Sequence, residues 1–138
     1  MEVSEIVKKA YELAKKVQDN AHAPYSNFHV GAAIKLKGQD DIVVGCNVEN
    51  ASYGATVCAE RGAIQSSVAT FGKKEFEFVV VVSNTQPAIG PCALCLQVLS
   101  EFADKDLPIY FSNKIEIQRV VKFGELLTQP FSEVPKTI

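Results

Sequence analysis

From Ser4 to Asn20, apolar residues return every three or four positions, at Ile6, Val7, Ala10, Leu13, Ala14 and Val17. That spacing predicts an amphipathic helix over 4–20, with Ser4 as its cap and Lys8, Lys9, Lys15 and Lys16 on the solvated side. Pro24 stops it, because a residue before proline avoids helical geometry. The period then changes to two. Phe28, Val30, Ala32 and Ile34 alternate with His29, Gly31, Ala33 and Lys35, which predicts a strand over 28–36. A turn at 37–41 leads into Ile42-Val43-Val44-Gly45, and so short a connection predicts an antiparallel hairpin.

Residues 47–54 are too polar and turn-rich to continue that strand. A helix is expected from Cys58 to a cap at Gly72, with Ala59, Ala63, Ile64 and Val68 as its buried stripe. The valine-dominated run at 76–82 predicts a central strand covered on both faces. A loop containing Gln86, Pro87, Gly90 and Pro91 precedes a second helix, expected from Cys92 to about Ala103. Strands are expected at 107–111 and around 119–121, and a short helix at 123–127. Strands alternating with helices imply an α/β fold, one domain over 1–138 with helices on both faces of a mixed sheet.

Composition narrows the partners. The 138 residues are 47% hydrophobic and 22% charged, in the range of an ordinary globular domain. A net charge of −2 offers no footprint for a nucleic-acid polyanion. No apolar run approaches the roughly 20 residues that span a bilayer. The start of the chain lacks a basic region followed by an apolar stretch, so the expected location is the cytoplasm.

Chemistry concentrates at Thr56-Val57-Cys58-Ala59-Glu60-Arg61 and at Pro91-Cys92-Ala93-Leu94-Cys95. Three thiols can hold a zinc ion and leave a fourth position for water or substrate, and a carboxylate two residues from a ligand can move protons there. Cys92 and Cys95 would converge at one helix start and Cys58 would arrive from another, where free N–H groups favour thiolates. Other readings stay open. Cys92-x-x-Cys95 also suits a redox pair, the four cysteines suit two disulfides outside a reducing compartment, and Cys46, His22 or His29 would close a structural zinc site. By strand alternation His29 points away from the Phe28 face, so both histidines read as structural or exposed, and Cys46 reads as a small buried apolar residue at a strand end.

Taken together, these stretches resemble the small homotetrameric cytidine deaminases, nearly end to end. Residues 23–33 resemble that family's opening strand motif, and Gly45-Cys46-Asn47-Val48-Glu49-Asn50-Ala51-Ser52-Tyr53-Gly54 its ribose-binding segment. Cys58-Ala59-Glu60-Arg61 and Pro91-Cys92-x-x-Cys95-x-Gln97-Val98-Leu99 match its zinc motifs. The resemblance implies a three-layer α/β/α sandwich with a five-stranded mixed sheet. It also implies one zinc ion per subunit on Cys58, Cys92 and Cys95, with Glu60 as the catalytic proton carrier and Arg61 bonded to the sulfurs behind them. Substrate contacts carry over to Phe28 for the pyrimidine ring, Asn47 and Glu49 for the ribose 3′-hydroxyl, and the Ala59 N–H for the base carbonyl. Phe131 and Tyr53 would act at the boundary with a neighbouring subunit.

The implied reaction is hydrolytic deamination of cytidine and deoxycytidine to the uridine nucleosides, with release of ammonia, as in pyrimidine salvage. Two rival readings are a deaminase of a cytosine-containing antibiotic or modified nucleoside, and a zinc-binding module without catalysis. The chain departs from the family pattern at Ala93, where glycine is usual, and at Leu96, where arginine is usual. Leu96 removes a positive charge beside an anionic metal site.

Overall fold

In the computed structural model, which describes residues 1–138, helix α1 spans Glu5–Gln18. Ser4 is its N-cap, accepting the Val7 N–H through Oγ. Strands β1 (Val30–Leu36) and β2 (Ile42–Cys46) form the expected antiparallel hairpin. A 3₁₀ turn at Tyr53–Ala55 leads to α2 (Ala59–Phe71). There follow β3 (Phe76–Ser83), α3 (Ala93–Leu99), β4 (Pro108–Ser112), β5 (Ile117–Lys122) and α4 (Phe123–Leu126).

The sheet order is β2-β1-β3-β4-β5, with β3 and β4 parallel and every other pair antiparallel. Its two faces bury different helices. Ala59, Ala63 and Ile64 of α2 and Leu96 and Leu99 of α3 cover Ala32, Ile34, Val79, Val81 and Ile109. Val7, Ala10, Tyr11 and Ala14 of α1 cover Ala33, Phe78, Val80 and Val82. The result is the three-layer α/β/α sandwich with a mixed five-stranded sheet. Each fully buried branched side chain, such as Ile34 or Ile109, contributes about 1.5–3 kcal/mol relative to exposure.

Several boundaries and faces differ from the sequence expectation. Phe28 and His29 precede the strand, and β1 is buried at every position because α1 covers its second face. Small Gly31 and Ala33 make that possible. A Cβ at Gly31 would fall on the Ala14 carbonyl of α1. Lys35 is tolerated there because Nζ bonds the Leu36 carbonyl at 2.8 Å and Glu77 at 2.9 Å. On α2 the buried positions are Ala59, Glu60, Ala63, Ile64 and Ser67, so Ala59, Ala63 and Ile64 hold as expected, whereas Val68 falls at the edge and is 40% exposed.

Helix α3, expected to run to about Ala103, ends at Leu99. Tight turns beyond Ser100 bring Phe102 back onto Phe76 at the start of β3, with ring centroids 5.1 Å apart. Cys46 closes β2 but is only half-buried. No helix is long and apolar enough to cross a membrane.

Candidate active site

Gly45 decides where the first metal motif sits. A Cβ at this position of β2 would overlap the Ala59 carbonyl and the Ala63 amide, so glycine lets the first turns of α2 lie directly on the strand. Cys58 is the N-cap of α2, and Cys92, after Pro91, is the N-cap of α3. Neither sulfur caps its own helix, which leaves both for another partner. Cys95 lies one turn along α3 and is fully buried.

The three sulfurs lie within 4.8 Å of one another, and Cys58 and Cys92 are 3.8 Å apart. All four cysteines are free, so the two-disulfide reading is set aside. Cys46, His22 and His29 do not join the cluster, so no fourth protein ligand closes it. Zn–S bonds of about 2.3 Å at a tetrahedral angle put sulfurs roughly 3.8 Å apart, so the donor set and its spacing both fit zinc with one open position.

Arg61, three residues along α2, places Nη2 3.3 Å from the Cys58 sulfur. Cys58 is held below the usual thiol range, first by the hydrogen bond with Cys95 and then, against burial, by Arg61. Cys95 moves the other way because the Cys58 sulfur beside it and its own burial both favour the thiol. Glu60 is 4% exposed, with Oε2 3.7 Å from the Cys95 sulfur. Burial, with the Cys58 charge adding to it, pushes its carboxyl up to about 7. A carboxyl of that strength can both take and give a proton at neutrality.

A cavity of about 290 Å³ opens above these groups, and Phe28, Asn47, Glu49, Ala59, Glu60, Cys58 and Cys92 all line it. Ala59 is the first residue of α2, so its N–H belongs to the helical turn whose amides have no carbonyl partner within the helix. A larger surface cavity of about 450 Å³ at Met1, Tyr11 and Ile117 lacks any comparable convergence of chemistry.

The structure gives Asn47 and Glu49 work the sequence did not suggest. Asn47 is buried, its Oδ1 accepting the Val30 N–H at 2.9 Å and its Nδ2 donating to the Phe28 carbonyl at 2.6 Å. It therefore clamps the entrance to β1 while facing the cavity. Glu49 is ionised more readily than an ordinary carboxyl, chiefly because the Ser26 hydroxyl donates to it.

Tyr53 and Phe131 do not reach the cavity in this chain. Tyr53 is 78% exposed, edge-on to Tyr25 beside Glu49, and Phe131 is 64% exposed on the C-terminal tail. Gln97 of α3 holds that tail, donating to the Phe131 carbonyl at 2.7 Å and accepting its N–H at 3.1 Å. Leu96 is buried in the core behind the motif. Its departure from arginine therefore replaces a charge with packing. Sequence alone assigns no individual role to Gly45, Ser26, Asn84 or Gln97, although Gly45, Ser26 and Gln97 stand inside the motifs that carry the resemblance.

The sequence pattern described as the cytidine and deoxycytidylate deaminase zinc-binding region matches residues 4–111. A cytidine deaminase of Sporosarcina psychrophila is 40% identical over 128 residues, covering 92% of this chain and 92% of that protein. The crystal structure of cytidine deaminase from Burkholderia pseudomallei superposes with a TM-score of 0.84 at 38% identity, covering 94% of this chain and 100% of that one. The Mycobacterium tuberculosis cytidine deaminase structure does so at 0.79 and 32%, covering 96% and 100%. With its three converging thiols, buried glutamate and sandwich fold, this chain belongs to the cytidine and deoxycytidylate deaminase zinc-binding family.

Proposed function

We propose that this chain is a zinc-dependent hydrolase that converts cytidine and deoxycytidine to uridine and deoxyuridine with release of ammonia. The observation that carries it is the placement of buried Glu60 beside three converging thiols, on the wall of a cavity that Phe28 and Glu49 also line. Cys58, Cys92 and Cys95 would hold a zinc ion, which would supply the Lewis acidity that makes water reactive near neutral pH.

The reaction replaces the amino group at C4 of the base with oxygen from water. Glu60 takes one proton from the attacking water and delivers it to ring N3, then takes the second from the new C4 hydroxyl and passes it to the departing amine. Its burial keeps these transfers away from bulk solvent. Arg61 draws electron density from the Cys58 sulfur. Phe28 offers a flat apolar face to the pyrimidine, the Ala59 N–H meets the base carbonyl, and Asn47 and Glu49 meet the sugar 3′-hydroxyl.

A nucleoside suits the cavity better than a nucleotide, because no lysine or arginine lines it and Glu49 places a negative charge there. The reading extends to one catalytic domain over 1–138, supported by the single sheet that both hydrophobic clusters share. It also extends to a homotetramer in which Tyr53 and Phe131 reach a neighbour's pocket, supported by the exposure of both rings. The reading further extends to a role in pyrimidine salvage, in the cytoplasm.

The test is ultraviolet loss of cytidine with ammonia release, wild type against Glu60→Gln, both loaded with zinc. The expected outcome is turnover by wild type and a loss of about 10²–10⁴-fold in kcat for Glu60→Gln at unchanged zinc content. Absence of wild-type turnover sinks the reading, and full activity of Glu60→Gln sinks its mechanism.

A further inference from the structure

Residues 23–29 carry Phe28 to the cavity but lie outside the sheet, so their backbone groups have no strand partner. Apart from the Asn27 N–H, which bonds the Ala23 carbonyl at 3.0 Å, side chains supply most of the hydrogen bonds instead. Glu49 Oε1 accepts the N–H groups of Tyr25 at 2.9 Å and Ser26 at 3.2 Å. Glu49 Oε2 accepts the Ser26 hydroxyl. The same Ser26 oxygen accepts the Phe28 N–H at 3.0 Å. Asn27 makes this possible, since its φ of 58° reverses the chain between Ser26 and Phe28, a conformation asparagine tolerates.

Other side chains hold the segment without touching Glu49. Asn84 Nδ2 donates to the Asn27 carbonyl at 2.9 Å, and its Oδ1 accepts the His29 N–H at 3.1 Å. Gln18 donates to the His29 carbonyl at 2.9 Å, and Asn47 clamps Phe28 and Val30. Of these, Ser26 alone bonds both the carboxylate and the backbone of the aromatic residue.

We propose that Ser26 is a positioning residue of the substrate pocket: its hydroxyl ties the Glu49 carboxylate to Phe28, so that the contacts to sugar and base are set relative to each other. This rests on the deaminase reading above. Ser26 acts through its two neighbours. Without its hydroxyl, Glu49 keeps only two backbone donors, the Phe28 N–H loses its partner, and both contacts loosen together. Glu60 and the thiols sit on α2 and α3 and do not depend on this bond. The effect therefore falls on substrate affinity rather than on the chemical step.

The test uses zinc-loaded enzyme and steady-state kinetics with cytidine. Ser26→Ala is expected to raise KM about tenfold with kcat within about twofold of wild type and an unchanged melting temperature. Ser26→Thr keeps the hydroxyl, and Ser26 is exposed enough to admit the methyl, so KM returns to within about twofold of wild type. In a cycle with Glu49→Ala, the double variant raises KM by less than the product of the two single effects, because the Ser26–Glu49 bond is lost in both. Should Ser26→Ala fail to fold, Ser26→Cys, whose thiol is a weak donor, is expected to show the same rise.

A wild-type KM in Ser26→Ala or Ser26→Cys, no rescue by threonine, or independent effects in the cycle overturns the proposal while leaving the deaminase reading intact. Absence of wild-type turnover overturns both.

Discussion

Two walls of one cavity are built on different principles. Cys58, Glu60, Cys92 and Cys95 belong to the first turns of α2 and α3, where helix geometry and a packed sheet hold them. Phe28 and Glu49 stand outside the sheet. Side-chain hydrogen bonds from Ser26, Asn47, Asn84 and Gln18 hold the segment of Phe28. The Glu49 N–H bonds the His22 carbonyl at 2.8 Å, and its carboxylate bonds Ser26. The wall proposed to react, at the helix starts, gains its rigidity from the backbone ladder. The wall proposed to recognise substrate gains much of its rigidity from polar cross-links between segments far apart in sequence. Damage to the first should therefore remove chemistry, and damage to the second should weaken affinity.

The sharpest break comes at a ligand. Cys58→Ala leaves two thiols, and activity is expected to fall to background with loss of zinc by elemental analysis, while circular dichroism retains the α/β signature. Retention of zinc and activity would mean that the three-thiol site is wrongly drawn.

A change that attacks the scaffold under both walls comes next. Gly45→Val drives side-chain atoms into the Ala59 carbonyl and Ala63 amide, so stability should drop by at least the ~1–3 kcal/mol typical of overpacking, read by denaturant unfolding. Zinc occupancy should drop with it, because Cys58 and Glu60 ride on the displaced turn. An unaffected midpoint would show that α2 does not depend on this close approach.

The smallest effect is expected on the recognising wall. Asn47→Ala removes two hydrogen bonds and strands the buried Val30 N–H, a loss of about 2 kcal/mol. KM should rise while zinc content and the pH profile of kcat stay as in wild type. A fall in kcat with normal KM would place Asn47 with the chemistry instead and erase the contrast.

These two walls were not equally legible in the chain. Cys58-Ala59-Glu60-Arg61 and Cys92-x-x-Cys95 are local patterns, and a helix start converts their spacing directly into geometry. The Arg61 contact with the Cys58 sulfur followed from a separation of three residues, one helical turn. Burial was harder to read. Val68 looked like core because the stripe was judged by residue type, whereas Ser67 lies nearer its centre and is buried instead. Alternation over 28–36 marked two faces of β1 without saying which helix buries each; α1 covers the second.

By itself, then, the sequence determined the order of elements and the α/β class, and it singled out Cys58, Cys92, Cys95 and Glu60 as candidates, since hydrophobic periods and motif spacings are both local. Tertiary structure alone decided that Asn47 clamps Phe28, that Ser26 and Glu49 share a bond, that Gln97 holds the tail at Phe131, and that Leu96 faces the core. Those facts join positions 19 to 34 residues apart or depend on which face of α3 meets the sheet. No local period encodes them, because they arise only when packing brings separate loops together and leaves their polar groups one another as partners.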